Sequence, residues 1–541
     1  METTHKLRKP VESQHALRQY KKTLALGILL ALGAAALLML LFGCGGGSVA
    51  PVSAPPVAAV QPLQASDVQN IVQAAVNSVS VDMVVAVTDR AGFVLGVFRT
   101  QNAPATAVGN FGQSQGANDL AVALARTAAF FSNDQAPLSS RTVRFISGIH
   151  FPPGVTNQPP ADLYGIENTN RGCTLVNDPV FQSKIPPSSA LGGGFGLGVI
   201  TGKADAMDSN ADSVNPGGVP IFYQNVVVGG IGVVTGSDNL NVAEYAALVG
   251  ATTQRGSTGN NFGPTPASPG VVFIGGAALP FVDQTSLPAG FSVGPVAGTG
   301  SYLAAPANSQ GQPPEGDLIA PVAGPLGGLS AADVTQILDN AEATANTTRA
   351  AIRLPIGSTA RMVIAVADLD GTIIGLRRMT DSTVFSIDVA ATKARNMVYF
   401  NSSTRTASDL NGVPMGTAVT NRTISFGAQP FYPPGINGSN AGPFFNLYTM
   451  DLANPCTQGF QGGAANANKS GIVFFPGSAG LYRGGALVGG LGVSGDGVDE
   501  DDYVTNGGTA GFEAPANIRA DQVMDEGVRL PYFKFPRNPT D

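Results

Sequence analysis

Few residues in this 541-residue chain are equipped for chemistry. Of its three histidines, His5 and His15 lie in the first 43 residues, which leaves His150 alone in the body of the chain. One histidine cannot furnish a Ser/His/Asp arrangement in two places, nor a zinc cluster. The three cysteines are Cys44, Cys173 and Cys456. Carboxylates are the remaining candidates for acid–base work. Asp89 and Asp368 each stand three residues before a glycine (Gly92, Gly371) between two apolar runs, where Asp and Gly are first of all turn residues. The run Asp496, Asp499, Glu500, Asp501 and Asp502 reads as a Ca²⁺ site or as the acidic start of a helix, where the macrodipole favours it. The helix start is the expectation. The glycines of Gly192–Gly202 resemble a nucleotide loop only loosely, because no acidic residue follows a strand–turn–helix unit about 20 positions on. Arg126, Lys393 and Arg395 could hold carboxylates or form a solvated helix face. No catalytic set and no metal set emerges.

The elements that must position these residues occur twice. "MVVAVTDRAGFVLGVFR" (Met83–Arg99) and "MVIAVADLDGTIIGLRR" (Met362–Arg378) share eight of seventeen positions. Each reads as a hairpin. Before each lies an amphipathic helix, with apolar stripes at Val68, Ile71, Val72, Ala75, Val76 and Val79, and at Val334, Ile337, Leu338, Ala341 and Ala345. Ser330 and Asp333 form a capping pair at the second helix start. After each hairpin comes a second helix, which aligns Arg126 with Arg395 and Phe131 with Phe400. "RTVRF…FPPG" then matches "RTISF…YPPG", and "NVVVGGIGVVTG" matches "GALVGGLGVSG". The order never changes, so the chain reads as a duplication. Antiparallel strands covered by helices predict an α+β class. Residues 255–328 form a Gly/Pro/Ser-rich connector, in which "GVVFIGGAALPFV" could add a strand, and the polar tail 516–541 is expected to lie over the surface.

The N-terminus predicts the compartment. Six basic residues precede Thr23–Phe42, 20 residues without a charge, and Gly43-Cys44 follow. These are the parts of a secretory signal over 1–43, and the cysteine resembles the lipobox of bacterial lipoproteins, with Cys44 lipidated. An uncleaved transmembrane anchor is the alternative, since 20 apolar residues can span a bilayer. Both place the body outside the cytoplasm, in the cell envelope on the periplasmic or outer-membrane side, because the positive flank stays inside. Residues 44–62 read as a flexible-to-extended tether. Without the first 43 residues the chain holds 24 basic and 35 acidic residues, a net of −11, which excludes a nucleic-acid partner. In that compartment Cys173 and Cys456 could form a disulfide across the repeats or remain free, buried thiols.

These motifs resemble the GlcG/HbpS-like family of small haem-binding α+β domains. "VAVTDRAGFVLGVFR", "ALARTAAFFS" and "GGVPIFYQNVVVGGIGVVTG" carry the resemblance over 63–254. "IAVADLDGTIIGLRR", "ATKARNMVYF" and "GGALVGGLGVSGDGVDEDD" carry it over 329–515. The resemblance implies two profilin-like domains, each a central antiparallel sheet with packed helices, fused so as to mimic the dimer of single-domain relatives. It implies a small ligand, haem or a related tetrapyrrole, with His150 or Tyr399 (and Tyr432 or Tyr482) as iron ligands and Arg126, Lys393 and Arg395 on the propionates. A structural or assembly lipoprotein without ligand, and a haem-degrading or redox enzyme, are the alternatives. Both copies depart from the family by long insertions, and the second lacks a "GGVPI" match.

Overall fold

The computed structural model of the chain describes residues 61–108, 114–149, 160–171, 173, 215–237, 239–256, 261–263, 270–403, 405–454, 456–457 and 470–540. Cys44, His150, the apolar run Thr23–Phe42 and the glycine-rich Gly192–Gly202 lie outside the described residues. Among the described residues no helix is long and apolar enough to cross a membrane.

The first half opens with α1 (Ala65–Ser78), whose stripe Val68, Ile71, Val72 and Ala75 is buried. Such a stripe needs a surface to cover, and a sheet supplies it. Strands β1 (Met83–Asp89) and β2 (Val94–Arg99) form the hairpin. Its turn closes where the Gly92 N–H donates to the Asp89 carbonyl at 3.0 Å, with Gly92 at φ 90°, a conformation open to glycine. Helices α2 (Ala117–Phe131) and α3 (Ser140–Ile146), the hairpin β3 (Gly218–Tyr223) and β4 (Val226–Thr235), and α4 (Asn241–Ala251) follow. Next come a minimal hairpin, β5 (Phe273–Ile274) with β6 (Ala277–Ala278), and two single strands, β7 (Ser301–Ala304) and β8 (Gly316–Ile319). The second half runs through α5 (Ala331–Ala345), β9 (Val363–Ala367), β10 (Ile373–Arg378), α6 (Ser386–Asn401), α7 (Asn421–Gly427) and α8 (Phe445–Ala453). It closes with β11 (Ser478–Arg483), β12 (Ala486–Ser494), α9 (Val498–Gly508) and a minimal hairpin of β13 (Met524–Asp525) and β14 (Val528–Arg529). The expected capping pair starts α5: the Asp333 N–H donates to Ser330 Oγ at 3.2 Å, and the Ser330 N–H to the Asp333 carboxylate at 2.7 Å.

Each half builds a five-stranded antiparallel sheet, ordered β3-β4-β1-β2-β7 in the first and β11-β12-β9-β10-β8 in the second. Registers correspond as well: Val85 faces Val233 where Ile364 faces Val493, and both hairpins bulge at the same step, after Val87 and after Val366. Alternation sorts the faces. Val84 and Ala86 pack with Leu120 and Ala121 of α2, whereas Met83, Val85 and Val87 pack with α1 and α4. In the second half Val363, Ala365 and Ala367 face α6, and Met362, Ile364 and Val366 face α5 and α9. The molecule is α+β, as the sequence implies. Helices α2 and α6 lie close on their sheets because the strands beneath them carry no side chain there. A Cβ on Gly232 would sit 1.9 Å from the Ala121 carbonyl oxygen, and one on Gly492 2.1 Å from that of Ala390.

Two stretches differ from expectation. Residues 255–328 do more than connect, since β7 completes the first sheet and β8 the second. Their flanks dock alike: the Ala307 and Ser309 N–H groups donate to Leu95 and Leu63, and those of Val322 and Gly324 to Ile374 and Leu329. The tail leaves the surface at Leu530 and Tyr532, which are 0% and 4% exposed and join a core cluster. Its Leu530-Pro531-Tyr532 covers α7 as Leu279-Pro280-Phe281 covers α3. The Thr420 and Thr423 hydroxyls donate to the Tyr532 and Pro531 carbonyls at 2.6 and 2.7 Å, and those of Ser139 and Thr142 to Phe281 and Pro280. Backbone carbonyls make these contacts, so no side-chain pattern announces them.

The halves meet directly. Phe131 at the end of α2 stacks on Phe385, ring centroids 3.9 Å apart. Tyr164 stacks on Tyr448 at 5.1 Å. Cys173 and Cys456 are joined in a disulfide, with Cα atoms 5.2 Å apart.

Candidate functional site

The residues singled out by type are mostly committed to the fold. Arg126 and Arg395 are 1% and 2% exposed, so neither belongs to a solvated helix face. Arg126 Nε donates to the Gly92 carbonyl at 2.9 Å and Arg395 Nε to the Gly371 carbonyl at 3.0 Å, each tying a helix to the hairpin turn beside it. Burial lowers both guanidinium pKa values to about 10, against the opposing pull of Asp89 on Arg126 and of Asp388 on Arg395. Lys393 is fully buried, and its Nζ donates to the Val493 carbonyl at 2.7 Å and to Asp501 at 3.0 Å. The Tyr399 hydroxyl donates to Asp409 at 2.5 Å, Tyr432 to the Asp525 carbonyl at 3.2 Å and Tyr482 to Asn401 at 3.3 Å. Asp89 and Asp368 accept backbone N–H groups from Gln310 and Leu326, which anchors the segments that follow β7 and β8. They are turn and docking residues.

The acidic run starts α9, with Asp499, Glu500 and Asp501 in its first turn. Four of its members pair with cations: Asp496 with Arg353, Asp499 with Arg422 and Lys534, Asp501 with Lys393, and Asp502 with Arg422. Among the described residues no group of three or more His, Cys, Asp or Glu is arranged to hold a metal ion. The calcium reading therefore gains no support.

What the sequence does not announce is a cavity of about 780 Å³ where the β5–β6 hairpin of the first half overlies the second. Segments far apart in the chain wall it, within 131–146, 162–163, 271–276, 349–356, 494–501 and 534–537, together with Phe385 and Phe475. Its volume lies in the range of about 300–1,000 Å³ common for ligand pockets. One wall exists in the second half alone. Four residues link α1 to β1, whereas seventeen, 346–362, link α5 to β9. Arg353 fixes that longer link, pairing with Asp496 and, at 2.7 Å, with Asp381, and donating at 3.1 Å to Gln135 of the first half. The mouth is apolar: Phe273, Ile356 and Phe535 line it and are 53%, 78% and 44% exposed.

Three carboxyls inside the cavity are pushed toward their neutral forms. Burial, then the charge of Asp499, raises Asp162 to about 7. Burial raises Glu500 to about 8, with Asp499, Asp501 and Asp162 adding to the effect. Burial likewise raises Asp501 to about 7, partly offset by Lys393. Asp162 Oδ2 and Asp501 Oδ1 are buried without a hydrogen-bond partner among the described residues. Perturbed, unsatisfied carboxyls gathered in one cavity are a mark of a binding site.

Residues 329–510 match the family model described as "Haem degrading protein HbpS-like". They form an HbpS-like domain. Among solved structures, the chain is similar to the PduOC–haem complex at 24% identity and a TM-score of 0.22, over 35% of this chain and 96% of that one. It is also similar to Klebsiella pneumoniae protein ORFY, of family model DUF336, at 18% identity and a TM-score of 0.22, over 35% and 92%. No curated protein matches the chain.

A haem iron would need His, Cys, Met or Tyr beside it. Among the described residues, those lining the cavity include none of these. The apolar walls and the cations Arg349 and Arg537 suit an apolar acid, but the described lining does not suit an axial bond to iron.

Proposed function

We propose that the chain is an envelope lipoprotein, anchored through Cys44, whose duplicated HbpS-like halves act as an intramolecular pseudo-dimer that binds one small ligand of tetrapyrrole type. The cavity of about 780 Å³ at the junction of the halves carries this reading. The family match of 329–510 supports the ligand class. Duplication is supported by the shared strand order, register and bulge of the two sheets. The pseudo-dimer is supported by which residues meet. Tyr164 and Tyr448 occupy corresponding places before Cys173 and Cys456, and each stacks on or bonds to its own counterpart. Self-pairing of equivalent residues is what an isologous two-fold interface produces.

The test is a haemin titration of the detergent-extracted chain, followed in the Soret band. One cavity predicts a shift that saturates at one equivalent; no shift removes the ligand reading and leaves an assembly lipoprotein. Cell fractionation checks the anchor, since Cys44→Ser is expected to move the chain to the soluble envelope fraction or leave it unprocessed in the inner membrane.

A further inference from the structure

The cavity joins a buried apolar interior to cations at its mouth. Deep in it, Phe131, Phe385 and Phe475 form buried apolar walls. At the mouth stand Arg349 and Arg537, carried by the inserted link and by the tail. Arg349 Nη2 donates to the Arg537 carbonyl at 3.3 Å and the Arg349 N–H to the Pro539 carbonyl at 2.6 Å, so the two segments hold each other in place. Neither guanidinium forms an ion pair with an acid of the described residues. The other cations of the lining are already committed, Lys534 to Asp499 at 2.7 Å and Arg353 to Asp496 and Asp381. Two charged forks at an apolar mouth match carboxylates on the edge of a flat or elongated apolar body.

We infer that the cavity binds an apolar carboxylic acid, with its body against the phenylalanine walls and its carboxylates on Arg349 and Arg537, and that a tetrapyrrole is held there by its propionates and ring faces without a bond to its metal. This rests on the reading of the cavity as the ligand site. It adds that the iron is dispensable and that the two arginines set the preference for acids. Both arginines lie outside the notice of sequence patterns, in a link absent from the first half and in the tail.

The experiment uses the full chain and three probes: haemin, metal-free protoporphyrin IX, and its dimethyl ester, whose carboxylates are blocked. Haemin and protoporphyrin IX are expected to bind within about threefold of each other, and the ester at least tenfold more weakly; a free guanidinium–carboxylate contact of this kind is worth roughly tenfold or more. The double variant Arg349→Glu/Arg537→Glu is expected to weaken both acids at least tenfold and to leave the ester unchanged. His150→Ala is expected to change none of the three. Haemin binding without protoporphyrin binding, or loss of haemin binding in His150→Ala, overturns the inference while the binding reading stands. Ester binding equal to that of the acid overturns the role of the arginines. If none of the three binds, the ligand reading itself falls. The probe series on the unaltered chain decides the matter even if a variant fails to fold.

Discussion

Arg126 and Arg395 show how residue type misleads about chemistry. Both sit where a helix could present cations to a ligand, yet both point inward and donate to the carbonyl of a turn glycine. The residues with perturbed chemistry are instead acids that the sequence presents as a helix start. Glu500 is the sharpest case, 8% exposed and raised from 4.5 to about 8. Its sign follows from linkage. Below its ordinary value both folded and unfolded chains hold the proton, and nothing differs. Between about pH 4.5 and 8 the unfolded chain releases the proton while the fold retains it, so stability falls as pH rises through that window. Glu500→Gln removes the penalty. It is expected to raise the unfolding temperature relative to the unaltered chain at pH 8, by an effect on the order of a few kcal/mol, and to change little at pH 4.5. Thermal unfolding at the two pH values checks it, and an equal effect at both would mean that folding does not shift the Glu500 carboxyl.

At the scale of elements, the glycine-bearing strands explain themselves once the helices above them are seen. The strand β12 must leave Gly490 and Gly492 bare because the α6 backbone occupies the space that a Cβ would need, 2.2 Å from Ala394 O and 2.1 Å from Ala390 O. Neither neighbour is a flexible side chain, so neither can yield. Gly492→Ala is expected to cost about 3 kcal/mol or more in urea unfolding. Gly311→Ala, at a place with nothing within 4 Å, should change stability by less than about 0.5 kcal/mol; equal effects would remove the close-packing explanation. The helix stripes, the Asp–Gly turns and these strands were legible in the sequence because each leaves a periodic or conformational trace over many residues. The apolar run Gly270–Val282 announced a strand where the β5–β6 hairpin lies, but the edge strands β7 and β8 and the hairpin β13–β14 were not legible, because strands of two to four residues carry no alternation and are placed by backbone pairing. The cavity was hidden for a further reason: its walls come together from segments between Phe131 and Arg537 that share no local pattern.

Across the whole molecule, near-symmetry and asymmetry divide the labour. Sheets, central helices and carbonyl-capped short helices α3 and α7 recur in both halves, whereas the cavity draws on the seventeen-residue link that only the second half has. A single chain permits this: one half can carry a link that the other lacks, which two identical subunits cannot. The Cys173–Cys456 bond is a long-range staple, spanning 283 residues of sequence. The chain-entropy model assigns a loop of that size about 5–6 kcal/mol, while measured native disulfides more often contribute about 2–5 kcal/mol. The double variant Cys173→Ser/Cys456→Ser is therefore expected to lose about 2–5 kcal/mol of stability in urea. It should still unfold in one cooperative transition, because the Phe131–Phe385 and Tyr164–Tyr448 stacks and the Arg353 contact with Gln135 join the halves without the bond. Two separate transitions in the variant would show that the halves are independent bodies held by the disulfide, and would leave a cavity walled by both of them without a stable frame.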